Sequence, residues 1–116
     1  MDQILDDRNT GTIAIERRAK LLRGFADPSR LAILEALREA PLAVHEIVAR
    51  TELSQPNASN HLRCLLDCRL VASDRDGRFI RYRISSPRIT ALLNDVDAIL
   101  DVVAADVEAC ENYCGT

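Results

Sequence analysis

Ser54-Gln55-Pro56-Asn57-Ala58-Ser59-Asn60-His61-Leu62-Arg63-Cys64-Leu65-Leu66-Asp67-Cys68-Arg69-Leu70-Val71 is the stretch that decides the fold. At about 100° per residue, Leu62, Leu65 and Leu66 mark one buried side of a helix. Ser54, or Gln55-Pro56, opens that helix, because a serine oxygen caps free N–H groups and proline has none to lose. The residues at its start, Ser54, Gln55, Asn57, Ser59, Asn60 and His61, are small or polar enough to meet base edges in a major groove. Cys64 and Cys68 lie more than about 110° from the middle of the leucine side by the same arithmetic, on the outer face shared with Asn57, Asn60 and His61. One rod is thus expected to carry both a DNA-reading surface and a pair of thiols.

Upstream, an amphipathic pattern from Ile13 through Leu21, Leu22 and Phe25 predicts a first helix ending near Gly24–Asp27. Asp27-Pro28 predicts the next helix start, with Asp27 as cap, and Leu31, Ile33, Leu34 and Leu37 as its apolar face. A short third helix carries Val44, Ile47 and Val48, and Thr51-Glu52-Leu53 forms the turn into the quoted segment. Downstream, Leu70–Ser73 and Phe79–Ile84 flank Arg75-Asp76-Gly77-Arg78, a hairpin signal because such turns need positive φ. Pro87 then starts a long helix whose Ile89, Leu92, Leu93, Val96, Ile99, Leu100, Val103 and Val107 recur at helical spacing. The predicted fold is mainly α with a small β-hairpin, a winged helix-turn-helix. In so small a chain the last helix has no partner of its own, so a homodimer through residues 89–103 is expected. The expected organisation is a flexible arm over 1–12, a DNA-binding and dimerisation domain over 13–108, and a thiol-bearing tail over 109–116.

Composition narrows the reading. Hydrophobic residues make up 47% of the chain but aromatics only 3%, so the core must be aliphatic, which favours helices. The net charge of −3 hides a division: residues 1–53 carry −1, residues 54–88 carry +4 from seven arginines against three aspartates, and residues 89–116 carry −6. Phosphates meet a local patch, not the overall charge. Arg63 and the wing residues Arg75, Arg78 and Arg81 are the candidates to meet them. No apolar run approaches the roughly 18 residues of a membrane span, and the N-terminus lacks a basic-then-apolar leader, so no membrane partner is expected. A cytoplasmic location with reduced cysteines follows, and the thiols then act as ligands or sensors rather than staples.

Residues four apart on a helix have Cβ atoms roughly 5–6 Å apart, so Cys64 and Cys68 can reach one soft ion. Cys110 and Cys114 repeat the spacing among acidic residues. Other readings stand beside these. A helical cysteine is often a small core residue, and Cys110 and Cys114 would prolong the apolar stripe if the last helix ran on. His61 suits either DNA or a ligand, His45 a surface position, and Asp95, Asp97 and Asp101 a solvated face. No Gly-rich phosphate loop or catalytic triad pattern occurs, and neither histidine is placed to activate a thiol, so an enzyme is not expected.

Three segments carry a resemblance: Phe25-Ala26-Asp27-Pro28-Ser29-Arg30-Leu31-Ala32-Ile33-Leu34, Leu53 to Leu62, and Gly77-Arg78-Phe79-Ile80-Arg81-Tyr82. From about Ile13 to Cys114 the chain resembles the ArsR/SmtB family of metal-responsive repressors, and within it a cadmium/lead-sensing subgroup with a thiol pair on the recognition helix. The arsenic sensors' Cys-x-Cys is replaced here by Ala43-Val44-His45-Glu46. The last helix has no histidine of the zinc-sensor type, and residues 1–53 have no cysteine of the N-terminal arm type. The resemblance implies a dimer that binds an imperfect inverted repeat in double-stranded DNA without metal and releases it on binding Cd(II) or Pb(II), with Zn(II) a further candidate. It also implies a third thiol from the other subunit's tail, and Cys110 matches by its distance from Tyr82. Cys114 exceeds a three-thiol pattern. The alternatives are a redox switch through Cys64/Cys68 or Cys110/Cys114, an As(III) sensor, or a winged-helix adaptor without a sensing role.

Overall fold

The computed structural model describes residues 7–111, with side-chain surroundings from residue 11 onward. Cys114 lies outside the described residues, as do residues 1–6 of the expected arm. Among the described residues the chain runs α1 (Asp7–Ala26), α2 (Pro28–Leu37), β1 (Leu42–Ala43), α3 (Val44–Thr51), α4 (Gln55–Asp67), β2 (Val71–Asp76), β3 (Phe79–Ile84) and α5 (Pro87–Ala109). Helix α1 begins at Asp7, so residues 7–12 of the expected arm are helical instead.

Local chemistry sets most boundaries. Asp27 Oδ2 accepts the backbone N–H of Arg30 at 2.9 Å, with Pro28 in the first turn of α2. Ser54 Oγ accepts from Asn57 N at 3.2 Å to start α4, and Ser86 Oγ accepts from Arg88 N at 3.1 Å to start α5. Each cap satisfies an N–H that has no partner within its helix. Helix α4 ends without glycine. Arg69 takes φ 62°, its N–H bonds Leu66 O at 3.0 Å, and Leu70 N–H bonds Leu65 O at 3.0 Å. That pair of bonds is a Schellman closure, fastened by the apolar residues Leu65 and Leu70 at its two ends. Cys68 is therefore the residue that caps α4 and lies just past its last turn.

The sheet has strand order β1-β3-β2, all antiparallel. Asp76 pairs with Phe79, leaving Gly77-Arg78 as a two-residue turn with Gly77 at φ 62°. Glycine in the first central position matches the twist of the flanking strands. The turn is tighter than the expected four-residue link, and Arg75 lies within β2 opposite Ile80. Strand β1, not expected from the sequence, pairs Leu42 with Tyr82 and Ala43 with Arg81, tying the wing to the start of α3.

The core gathers Ile33, Leu34, Leu37, Leu42, Ile47, Leu62, Leu65, Leu70, Val71 and Leu93, wholly aliphatic as the composition requires. Leu93 was expected at a dimer contact, but it is 2% exposed inside the protomer, and Ile89 packs against the same cluster. The first two turns of α5 therefore close the protomer's own core. Arg38 holds them there through Asp97 Oδ2 at 3.0 Å and a hydrogen bond to Asn94 Oδ1. Beyond this point Val96, Ile99, Leu100 and Val102 are exposed, Val102 by 81%. Among the described residues no helix is long and apolar enough to cross a membrane.

Candidate functional site

The first half of α4 stands clear of the core on one side. Ser54, Gln55, Asn57, Asn60 and Arg63 are exposed, whereas Ser59 and His61 are half-buried. Ala58, Leu62 and Leu65 fix the helix from beneath. Gln55 shares a groove with His45 of α3 and with Arg78, Phe79, Ile80 and Tyr82 of the wing, so the helix start and the wing tip form one continuous face. The His45 ring packs on Phe79 at 5.6 Å between centroids. Phe79 and Ile80 are half-exposed there. Sequence reasoning missed both, because alternation marked them as strand residues without saying what the outer one would meet.

The wing arginines divide by partner. Arg81 donates to Asp76 Oδ2 at 2.7 Å and to Glu46 Oε1 at 3.0 Å. Hydrogen bonding to Asp76, with Glu46 beside it, raises its pKa further. Glu46 also accepts the Ala43 N–H at 2.9 Å, and that bond, with Arg81 nearby, lowers the Glu46 pKa. Arg81, expected to hold phosphate, is thus engaged within the protomer and ties the wing to α3. Arg83 is similarly held by Asp74 at 2.8 Å. Arg63, Arg75 and Arg78 make no ion pair among the described residues and keep their cationic heads available.

The thiol pair sits where α4 meets the α1–α2 junction. Cys64 was expected on the outer face beside Asn57 and Asn60. Instead it is half-buried, and Arg30 Nη1 donates to its sulfur at 3.6 Å. One turn earlier His61 Nδ1 lies 3.9 Å from Asp27 Oδ2. The residues at 61 and 64 therefore turn toward α2, since α4 lies closely against α2 at this end. Cys68 is exposed and free. Partial burial, then the neighbouring Cys64, push its thiol pKa up, with Arg30 opposing. Cys64 stands one helical turn before Cys68 and is itself one cause of that shift. Cys110 caps α5, half-buried and free, where the backbone turns extended. The apolar stripe of α5 therefore ends just before it. Among the described residues of one protomer, no three His, Cys, Asp or Glu side chains gather as a metal site. Two thiolates accept a soft ion but leave its coordination incomplete, so these residues fit a metal whose remaining ligands come from elsewhere.

Comparison with known proteins agrees with this geometry. The sequence pattern of the family described as "Bacterial regulatory protein, arsR family" matches residues 27–73, the span from the cap of α2 into β2. A Streptomyces lividans protein described as "Probable mercury resistance operon repressor" is 34% identical over 97 residues, covering 84% of this chain and 78% of the relative. The transcriptional regulator CmtR of Mycobacterium bovis is 34% identical over 88 residues, covering 76% and 75%. Among solved structures, the homodimeric winged helix-turn-helix domain of Mb0332 from Mycobacterium bovis superposes with a TM-score of 0.73 at 25% identity, covering 97% of this chain and 99% of that one.

Proposed function

The chain belongs to the arsR family of bacterial regulatory proteins, a family of DNA-binding regulators rather than enzymes, and on that premise we propose that it is a homodimeric repressor released from its operator by a soft metal ion. Gln55, Asn57 and Asn60 read base edges in the major groove, with Ser54, Ser59 and His61 at the margin of that face. Arg63, Arg75 and Arg78 meet phosphates. Val96, Ile99, Leu100 and Val103, with Leu92 at their edge, bury against the same residues of a second copy. The homodimeric relative of the same fold supports that assembly.

One observation supports the sensing role: Cys64 and Cys68 lie at the end of the same helix whose first turns are exposed. Cys64 and Cys68 would hold Cd(II) or Pb(II), with Cys110 of the partner subunit as third ligand and Cys114 as a candidate fourth. Thiolate donors favour soft ions over Zn(II). The relative named for mercury resistance places Hg(II) among the ions to test. A 100-fold loss of operator affinity needs about 2.7 kcal/mol of coupling, and DNA must weaken metal binding by the same factor. Thiolate zinc sites are worth roughly 10–16 kcal/mol in small peptides, ample for such a shift.

The test is operator binding with and without Cd(II) for Cys64→Ser and Cys68→Ser, using a duplex selected from a random library. Both variants should fold and bind the duplex yet keep it when Cd(II) is added. Release at wild-type Cd(II) levels would remove the pair from the mechanism. Release of wild type by mild oxidant, with none by Cd(II), would favour the redox reading.

A further inference from the structure

Arg30 sits at the centre of the α1–α2 junction and makes more polar contacts than a surface arginine needs. Its backbone N–H bonds Asp27 Oδ2, which starts α2. Its Nε donates to Gly24 O at 3.2 Å and its Nη2 to Arg23 O at 3.0 Å. Those carbonyls belong to the last turn of α1, where the helix itself supplies no N–H partner. The remaining arm of the same guanidinium, Nη1, donates to Cys64 Sγ. One planar group with donors in fixed directions therefore joins the end of α1, the start of α2 and the thiol on α4.

The surroundings leave that link little slack. Gly24 lies so near the end of α4 that a Cβ placed on it would be 3.3 Å from Leu70 Cδ1. Asp27, fixed by Arg30 N–H, also faces His61 one turn before Cys64. The recognition helix thus touches this junction at successive turns, through a residue beside the DNA face and through a thiol.

Building on the sensing reading, we infer that Arg30 is the positioning residue that converts ligation of Cys64 into movement of the recognition helix. A sulfur drawn toward an ion shared with Cys68 shifts relative to Arg30. As a thiolate it also becomes a stronger acceptor for the guanidinium, so the contact is kept rather than dropped. The fork cannot follow the sulfur and also keep its bonds to Arg23 O and Gly24 O. Strain therefore passes to the end of α1 and, through Asp27, to the side of α4 that carries His61. Lysine keeps the charge but not the fork.

The experiment compares wild type and Arg30→Lys for Cd(II) affinity and for operator affinity with and without Cd(II). Arg30→Lys should bind Cd(II) and, without metal, bind the operator near wild-type strength. Its Cd(II)-dependent loss of operator affinity should fall from about 100-fold to about tenfold or less, the wild-type value lying within the 5–150-fold range usual for such coupling. An unchanged ratio overturns the inference while leaving the sensing reading intact. A wild-type protein indifferent to Cd(II) contradicts the sensing reading itself and the inference with it. Should Arg30→Lys fail to fold, amide hydrogen exchange on the wild type decides. Adding Cd(II) should speed exchange at residues 24–31 together with 61–68. Change confined to 61–68 overturns the role of Arg30.

Discussion

Single side chains here have assignments that can be separated by experiment. Asp27 caps α2, and its carboxylate is held below the ordinary range, first by the Arg30 N–H and then by the charges of Arg30 and His61. A depressed carboxylate contributes stability above its ordinary pKa and loses it as the pH falls through the lower, folded value. Asp27→Ala should therefore cost about 1 kcal/mol at neutral pH. The gap between variant and wild type, read from urea midpoints, should close in strong acid; a constant gap would mean that packing, not the cap, was lost. In the wing, Arg78→Ala should weaken binding to every duplex and lower the salt slope by about one ion. Arg81→Ala should instead loosen the wing on α3, seen as faster amide exchange over β3. Equal salt-slope losses in both would return Arg81 to the phosphate face. The caps at Asp27 and Ser54 were legible because they act within three residues. The tie from Arg81 to Glu46 spans 35 positions and was not.

Helix α5 divides lengthwise, and its two parts answer to different assays. Leu93 is sealed in the protomer core, whereas Ile99 is 60% exposed. Leu93→Ala should lower protomer stability by about 2–5 kcal/mol through the cavity it leaves. Ile99→Asp should leave the fold intact but shift sedimentation from dimer to monomer; a dimer that survives it would move the interface elsewhere. Periodicity showed that α5 has an apolar stripe but not where its partner changes, because core and interface positions share one spacing. Strand β1 escaped notice for another reason: two residues cannot show alternation, and only pairing with Tyr82 and Arg81 makes Leu42-Ala43 a strand. The end of α4 lacks the usual glycine signal, because its closure uses an arginine at positive φ.

Across the whole molecule, charge and thiols are sorted along the chain in a way that only the fold explains. The +4 block of residues 54–88 folds into α4 and the wing, and two of its three aspartates pair off Arg81 and Arg83. Arg63 on α4 and Arg75 and Arg78 on the wing remain exposed, with Arg78 beside Gln55 of α4. The winged helix was readable because its helices and its hairpin announce themselves locally, the two-residue β1 excepted. The thiol site was readable only in part: the spacing of Cys64 and Cys68 is a local fact, whereas the Arg30 contact and any ligand from a second subunit are not. On the proposed function, soft-ion binding at this pair and departure from DNA form one coupled event. It is tested most directly by titrating reduced protein on a fluorescent operator duplex with Cd(II), reading thiolate charge-transfer absorption and anisotropy in the same cuvette. Both signals should change together and saturate at the same Cd(II) equivalents. A thiolate band that saturates while the duplex stays bound, or release with no thiolate band, would contradict the coupling.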